Sequence, residues 1–209
     1  MTLAADFKAF AHTNTHIDIV KNKATDGQQQ VCLPVRHVVH AAATPAQLVL
    51  LQQHCANLPN SVVAFYAQMN GAALFMAEQR LQDYVIDASV LLFGIEELAF
   101  EKAQLLEWLQ PIMADLDDDA YFDDIREVIA QYVEHVLVFG GFEFSPERFI
   151  LLTDGRLKGQ VWLFLHDGCD QFVLKMADSF EAFLQLMMDD ANAFFERATW
   201  VMYESFFFD

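Results

Sequence analysis

The 209 residues predict a single α+β domain, a mostly antiparallel sheet with helices packed against it. Three observations carry that prediction. Four short runs, "VLVFGGFEF", "RFILLT", "GQVWLFLH" and "QFVLKMA", are rich in aromatic and aliphatic residues. Ser-Pro, Asp-Gly and Asp-Gly-Cys-Asp divide them, as turns divide consecutive antiparallel strands. Helical periodicity with recognisable start signals flanks those runs on both sides. Between the two regimes, "LPNSVVAFYAQMNGAALF" (58–75) converts a helical stripe into an extended segment at an Asn-Gly pair.

The elements follow in chain order. "LAADFKAF" reads as a short helix through Leu3, Phe7 and Phe10, and the polar, turn-rich "NKATDGQQQ" as an exposed loop. "VCLPVRHVVHAAA" has room for a short strand, though Pro34 argues against a central one. "TPAQLVLLQQHCANL" opens with Thr44 as N-cap and Pro45 at the first helical position, and Leu48, Leu51 and Cys55 share a face. Pro59 separates this helix from the next, because proline starts a helix readily and continues one poorly. Val62, Phe65, Tyr66 and Met69 then form one stripe, which Asn70 and Gly71 end, since both tolerate the left-handed backbone of a helix stop. "DYVIDASVLLFG" has strand character. "IEELAFEKAQLLEWLQ" is helical with Leu98, Leu105, Leu106 and Leu109 inward and Pro111 closing it. "DLDDDAYFDDIREVIAQYVEHV" is a further helix with aspartates at its start, where carboxylates offset the helix dipole. After the four strands, whose hairpin connections include "TDGRLKGQ" and "HDGCDQ", comes "DSFEAFLQLMMDDANAFFERA". Its stripe runs through Phe180, Phe183, Leu184, Met187, Met188, Ala191, Phe194 and Phe195, and Asp178 with Glu181 reads as a capping box. The aromatic end, "WVMYESFFFD", is expected to dock on the core or on a second subunit.

Composition limits the functional classes. Hydrophobic residues make up 55%, including 20 Phe, enough for a core with apolar surface left for a partner or a second copy. Twelve basic residues stand against 30 acidic ones, a net charge of −18, which disfavours nucleic acid and anionic membranes and favours a basic partner. Cys32, Cys55 and Cys169 are odd in number and form no C-x-x-C, which argues against a disulfide scaffold or zinc site. The N-terminus lacks a signal-peptide pattern, and no run approaches the ~18 apolar residues of a membrane span. The expectation is a soluble cytoplasmic protein.

No catalytic motif stands on its own. His12 and His16 lie four apart and His37 and His40 three apart, yet no H-E-x-x-H accompanies them, and ordinary histidines are the simpler reading. Gly140-Gly141 lacks the rest of a phosphate-binding loop. Ser179 is a helix cap by default, and Cys169 has no base beside it in sequence. Asp115, Asp117 and Asp119 alternate as in a calcium loop, but Ala120 and Arg126 stand where that loop needs Gly and Glu. Charge runs usually face water. The functional alternative makes Asp115, Asp117, Asp118, Asp119, Asp123 and Asp124 a partner-binding patch that attracts a basic protein. No catalytic, cofactor or metal residue is assigned.

"LPNSVVAFYAQMNGAALF" is similar to the opening of the SUKH superfamily, the Smi/Knr-like group named after a yeast cell-wall-synthesis regulator and its bacterial relatives. Leu58, Pro59, Phe65, Tyr66, Asn70 and Gly71 carry the match. "VFGGFEFSPERFILLTDGRLKGQVWLFLHDG" resembles the family's strand pair, with Gly159 and Val161 at its Gly-x-Val step. "MADSFEAFLQLMM" resembles its ending, at Ala177, Ser179, Phe180, Phe183 and Leu184. Order and spacing agree over about residues 45–190. The resemblance implies an α+β domain at 44–198 with a helical insertion at about 95–134, after an N-terminal extension (1–43) and before the aromatic tail (199–209). It also implies a non-catalytic, protein-binding role. Many bacterial members look like immunity proteins that silence toxins, often nucleases; others are regulatory interaction modules. The expected function is thus inhibition of a bacterial toxin, with a regulatory or scaffold module as the alternative and self-association as a further expectation.

Overall fold

A sheet built only of neighbouring antiparallel pairs needs nothing beyond short connections, and this chain builds one. The computed structural model describes residues 2–13, 16–23, 27–55, 57–77, 89–115, 135–143, 145–165, 173–195 and 197–198. Eight strands lie in chain order: β1 (His16–Lys23), β2 (Gly27–Val39), β3 (Ala72–Ala77), β4 (Val90–Leu92), β5 (Val136–Phe142), β6 (Arg148–Leu152), β7 (Val161–Phe164) and β8 (Val173–Ala177). Every neighbouring pair is antiparallel. The described helices are α1 (Leu3–Thr13), α2 (Pro45–His54), α3 (Asn60–Tyr66), α4 (Ile95–Asp115) and α5 (Phe180–Asp189). The predicted α+β class with a mostly antiparallel sheet is the observed one.

Both faces of the sheet are covered. All seven residues of β5 are buried, as expected of a strand with layers on both sides. Side chains alternate along β6 and show which helix takes which face. Phe149 meets Phe183 of α5 at 5.0 Å between ring centroids and Phe194 at 5.8 Å. Its neighbour Arg148 points the other way, to Glu101 and Trp108 of α4. On the α5 side, Phe65 of α3 joins Phe7 of α1 (5.8 Å) to Phe180 of α5 (5.5 Å), and Phe139 of β5 meets Phe180 and Phe183, each at 5.3 Å. Edge-on pairs of this kind add roughly 0.5–1.5 kcal/mol each beyond area burial. The high Phe content is therefore largely architectural.

Four elements differ from expectation. The segment 22–30 forms no simple exposed loop. Its described residues, 22–23 and 27–30, belong to the paired strands β1 and β2, with Lys23 opposite Gly27 and Val20 opposite Gln30. Backbone pairing does not require the apolar alternation by which strands are recognised, so a polar strand leaves little signal. Pro34 is accommodated in β2 because it sits at a changeover. It is the last residue paired to β1, and Val35 is the first paired to β3. Pro111 does not close α4, which continues to Asp115; proline removes one helical hydrogen bond but already holds φ near its helical value. Last, the C-terminal helix breaks at Asp190. That residue's N–H donates to the Leu186 carbonyl to end α5, while its Oδ1 accepts from Ala193 N at 2.9 Å and starts another turn over 191–195. Ser179, not the Asp178–Glu181 pair, caps α5, its hydroxyl accepting from Ala182 N at 3.0 Å. Asp178 pairs with Lys175 instead.

Arg148 is the polar fastener between sheet and α4. Its Nε donates to Glu101 Oε2 at 2.7 Å, its Nη1 donates to the Ser145 and Glu147 carbonyls, and its guanidinium lies 5.3 Å from the Trp108 ring centroid and 5.6 Å from that of Phe93. Both charged side chains are about 15% exposed (15% and 14%), so removing one leaves the other poorly solvated. Arg148→Met is expected to lower unfolding free energy by about 2–4 kcal/mol in urea titration, and the double variant Arg148→Met/Glu101→Leu to recover part of the loss. Equal stability of wild type and single variant would show that the pair does not fasten the helix.

Candidate functional site

The α3–β3 corner organises the surface most suited to function. Helix α3 follows Pro59 at its N-cap, as predicted, and with the turn after it buries Val62, Phe65, Tyr66 and Met69 to 1% exposure or less. The helix ends earlier than the stripe predicts, at Tyr66 with Ala67 as C-cap, and a turn carries the chain on to Asn70 and Gly71. Gly71 has φ +98°, and a Cβ there would lie 2.6 Å from the Leu92 carbonyl oxygen, so the corner packs directly on the end of β4. Asn70 N donates to Ala41 O at 2.7 Å and His40 N to Gly71 O at 3.1 Å, tying the corner to the end of β2.

The Asn70 side chain then reaches the start of α4. Gly94 precedes that helix and has no side chain to cap it. Asn70 Oδ1 accepts from Ile95 N at 2.9 Å in its place, and Glu97 Oε2 accepts from Gly94 N at 2.7 Å. These bonds satisfy donors that a helix start leaves open. Asn70 Nδ2 donates to Glu96 Oε2 at 3.0 Å, and Gln47 Nε2 of α2 donates to the other Glu96 oxygen. Gln47 is itself fixed by a full capping box with Thr44. Beneath, the Tyr66 hydroxyl donates to Phe93 O at 3.0 Å, and burial, with the charge of Glu97 adding to it, pushes its pKa upward.

Together these residues border a shallow depression of about 570 Å³ lined by His40, Thr44, Gln47, Asn70, Glu96 and Glu97 among others, with two carboxylates and no Lys or Arg. The hydrogen bonds from Asn70 and Gln47 hold the Glu96 carboxyl below its usual range, although it lies at the surface. The site therefore presents fixed negative charge beside the N-terminal turns of α2 and α4.

Sequence-assigned residues fall elsewhere. Asp115 ends α4, while Asp117, Asp118, Asp119, Asp123 and Asp124 lie outside the described residues. So do Cys169 with the whole "HDGCDQ" turn, and the aromatic end 199–209. His12 is exposed at the end of α1 and His16 opens β1. His37 sits among rings, 5.5 Å from Phe10 and 5.0 Å from Phe75, with Nδ1 accepting from Phe75 N, whereas His40 is exposed on the depression. Among the described residues no three His, Cys, Asp or Glu side chains converge as metal ligands. Gly140 and Gly141 are packing residues: added Cβ atoms would lie 2.4 Å from Leu91 O and 2.6 Å from Glu147 O. No described helix is long and apolar enough to cross a membrane.

The described residues form an α+β domain, an antiparallel sheet in chain order with helices packed against it. Residues 43–186 match the SMI1 / KNR4 family (SUKH-1), and the chain belongs to that family. No curated protein matches the chain.

Glu96 supplies a pH test. A carboxyl whose pKa is depressed by folding adds stability above the ordinary glutamate range, and that stability is lost as pH falls through its lowered folded value. Wild type is therefore expected to exceed Glu96→Gln in stability near neutrality, by a small margin because the group is exposed, with the gap closing below about pH 4. Urea midpoints across that range check it, and a gap independent of pH would rule out the held carboxylate. Gly71→Ala is expected to cost more than about 1 kcal/mol, since alanine meets both the positive φ and the Leu92 carbonyl.

Proposed function

We propose that this protein is a non-catalytic, protein-binding domain of the immunity type, which silences a basic bacterial toxin by occupying its working surface. Family membership over residues 43–186 carries the reading, because members of this family are generally non-catalytic immunity or regulatory proteins. The net charge of −18 supports it: an acidic protein draws a cationic partner over distance, raising encounter rates more than final affinity. In this reading Asp115, Asp117, Asp118, Asp119, Asp123 and Asp124 steer the approach, and apolar side chains anchor the complex. A nuclease is the toxin class whose basic surface fits best, since it must itself attract phosphates.

Two measurements test this. Cells expressing the chain should survive challenge by the toxin encoded beside its gene, and cells lacking it should not; absence of protection would defeat the reading and favour a regulatory module. In a purified complex, replacing the six aspartates by asparagine should slow association about tenfold or more at low salt and flatten its salt dependence, with a smaller change in dissociation. Unchanged association would remove that segment from the docking path.

A further inference from the structure

The inner and outer faces of α4 contrast sharply. Leu98, Leu105 and Leu109 are buried to 2% exposure or less. On the opposite side, Glu96, Phe100, Ala103 and Glu107 are all exposed and follow one another at four, three and four residues, so they form a single outward stripe. Phe100 is 63% exposed, the most exposed of the large hydrophobic side chains among the described residues. Helix α2, packed on α4 and joined to it through Gln47 and Glu96, adds Val49 at 53% and Leu50 at 44%. Among the described residues, the inward side of α4 is filled by Leu98, Leu105 and Leu109, without these apolar groups. Apolar side chains rimmed by charge mark a docking surface more often than a scattered Phe does.

We infer that the outer face of α2 and α4 docks a protein whose surface carries an apolar hollow rimmed by Lys or Arg, with Phe100 as the inserted anchor. This rests on the protein-binding reading above and assigns it a site and a partner chemistry. Charge decides the occupant. The exposed stripe carries Glu96 and Glu107, with Glu97 beside them, and the neighbouring depression has no Lys or Arg in its lining. A second copy docked through the same face would set these carboxylates against their own counterparts. The chain's own end, 199–209, carries Glu204 and Asp209 and no Lys or Arg, so it too is repelled. A cationic rim gains where both of those lose.

The test uses the full chain and a fluorescent helical peptide built from Lys and Leu, with Lys/Ser and Glu/Leu versions of the same pattern as controls. The Lys/Leu peptide is expected to bind, to shift backbone amide resonances of α2 and α4, and to lose about tenfold affinity to Phe100→Ser or to Glu107→Lys. Both variants alter exposed positions, and thermal melts check that they fold. Equal binding of the Lys/Ser peptide, equal binding by Phe100→Ser, or shifts centred away from α2 and α4 would overturn the inference. So would a wild-type dimer that Phe100→Ser dissolves, or tighter peptide binding after removal of 199–209, since each identifies a different occupant. In the toxin challenge the two readings separate: no protection by wild type defeats the function, whereas equal protection by wild type and Phe100→Ser defeats this site alone.

Discussion

The Asn70–Gly71 corner fixes where α4 begins, and α4 carries Phe100, the most exposed of the large hydrophobic side chains among the described residues. Three separate demands meet there. The backbone must enter β3 through a left-handed residue, which Gly71 supplies at φ +98°. The turn must lie against the Leu92 carbonyl, which leaves no room for a Cβ. And the N-terminus of α4 must be capped although Gly94 has no side chain, which the Asn70 amide achieves from 25 residues away. One dipeptide thus couples the α3–β3 connection to the β4–α4 connection. The start of α4, and with it the place of Glu96, is set by a directed bond in addition to the packing of Leu98, Leu105 and Leu109.

The apolar and polar residues divide the remaining work. The linked rings of Phe7, Phe65, Phe139, Phe149, Phe180, Phe183 and Phe194 hold α1, α3 and α5 to one face of the sheet. The opposite face relies more on directed contacts, above all Arg148 with Glu101 and the rings of Trp108 and Phe93. Hydrophobic contact is tolerant of small shifts, whereas a guanidinium held by a carboxylate, two carbonyls and two rings is not. The helix that needs a definite position is the one held by the more directional set.

How legible each feature is depends on how local its cause is. The Thr44 cap, the Pro59 start, the left-handed turn at Gly71 and the four strands of 136–177 depend on residues within a few positions of one another, and the sequence displays them. The turn end of the β1–β2 pair is hidden because its paired residues, Lys21–Lys23 and Gly27–Gln29, are not apolar, so pairing leaves no periodic trace there. The break at Asp190 was hidden because the apolar stripe runs on across it; only the aspartate's double role, ending one helix and opening the next turn, reveals it. The candidate site was the least visible. Asn70 reads locally as a residue that tolerates a helix stop, and its contact with Ile95 exists only once the chain has returned. Phe100 falls within a helix whose inward leucines explain the pattern without it, and exposure is not a property of sequence.

The state of Glu96 bears on what this corner can do. A carboxyl that transfers protons needs its pKa raised toward the working pH, usually by burial or by a neighbouring negative charge. Asn70 and Gln47 do the reverse: they donate to the ionised form and lower it. A carboxylate treated this way is favoured in its charged form, the reverse of the tuning an acid catalyst receives, and it offers negative potential to whatever approaches. Held charge beside an exposed ring suits the proposed recognition role, because a ring supplies contact area while charge excludes partners of the wrong sign. The donors that stabilise the helix start are the ones that hold this charge, so on the proposed reading folding and partner choice share one set of hydrogen bonds.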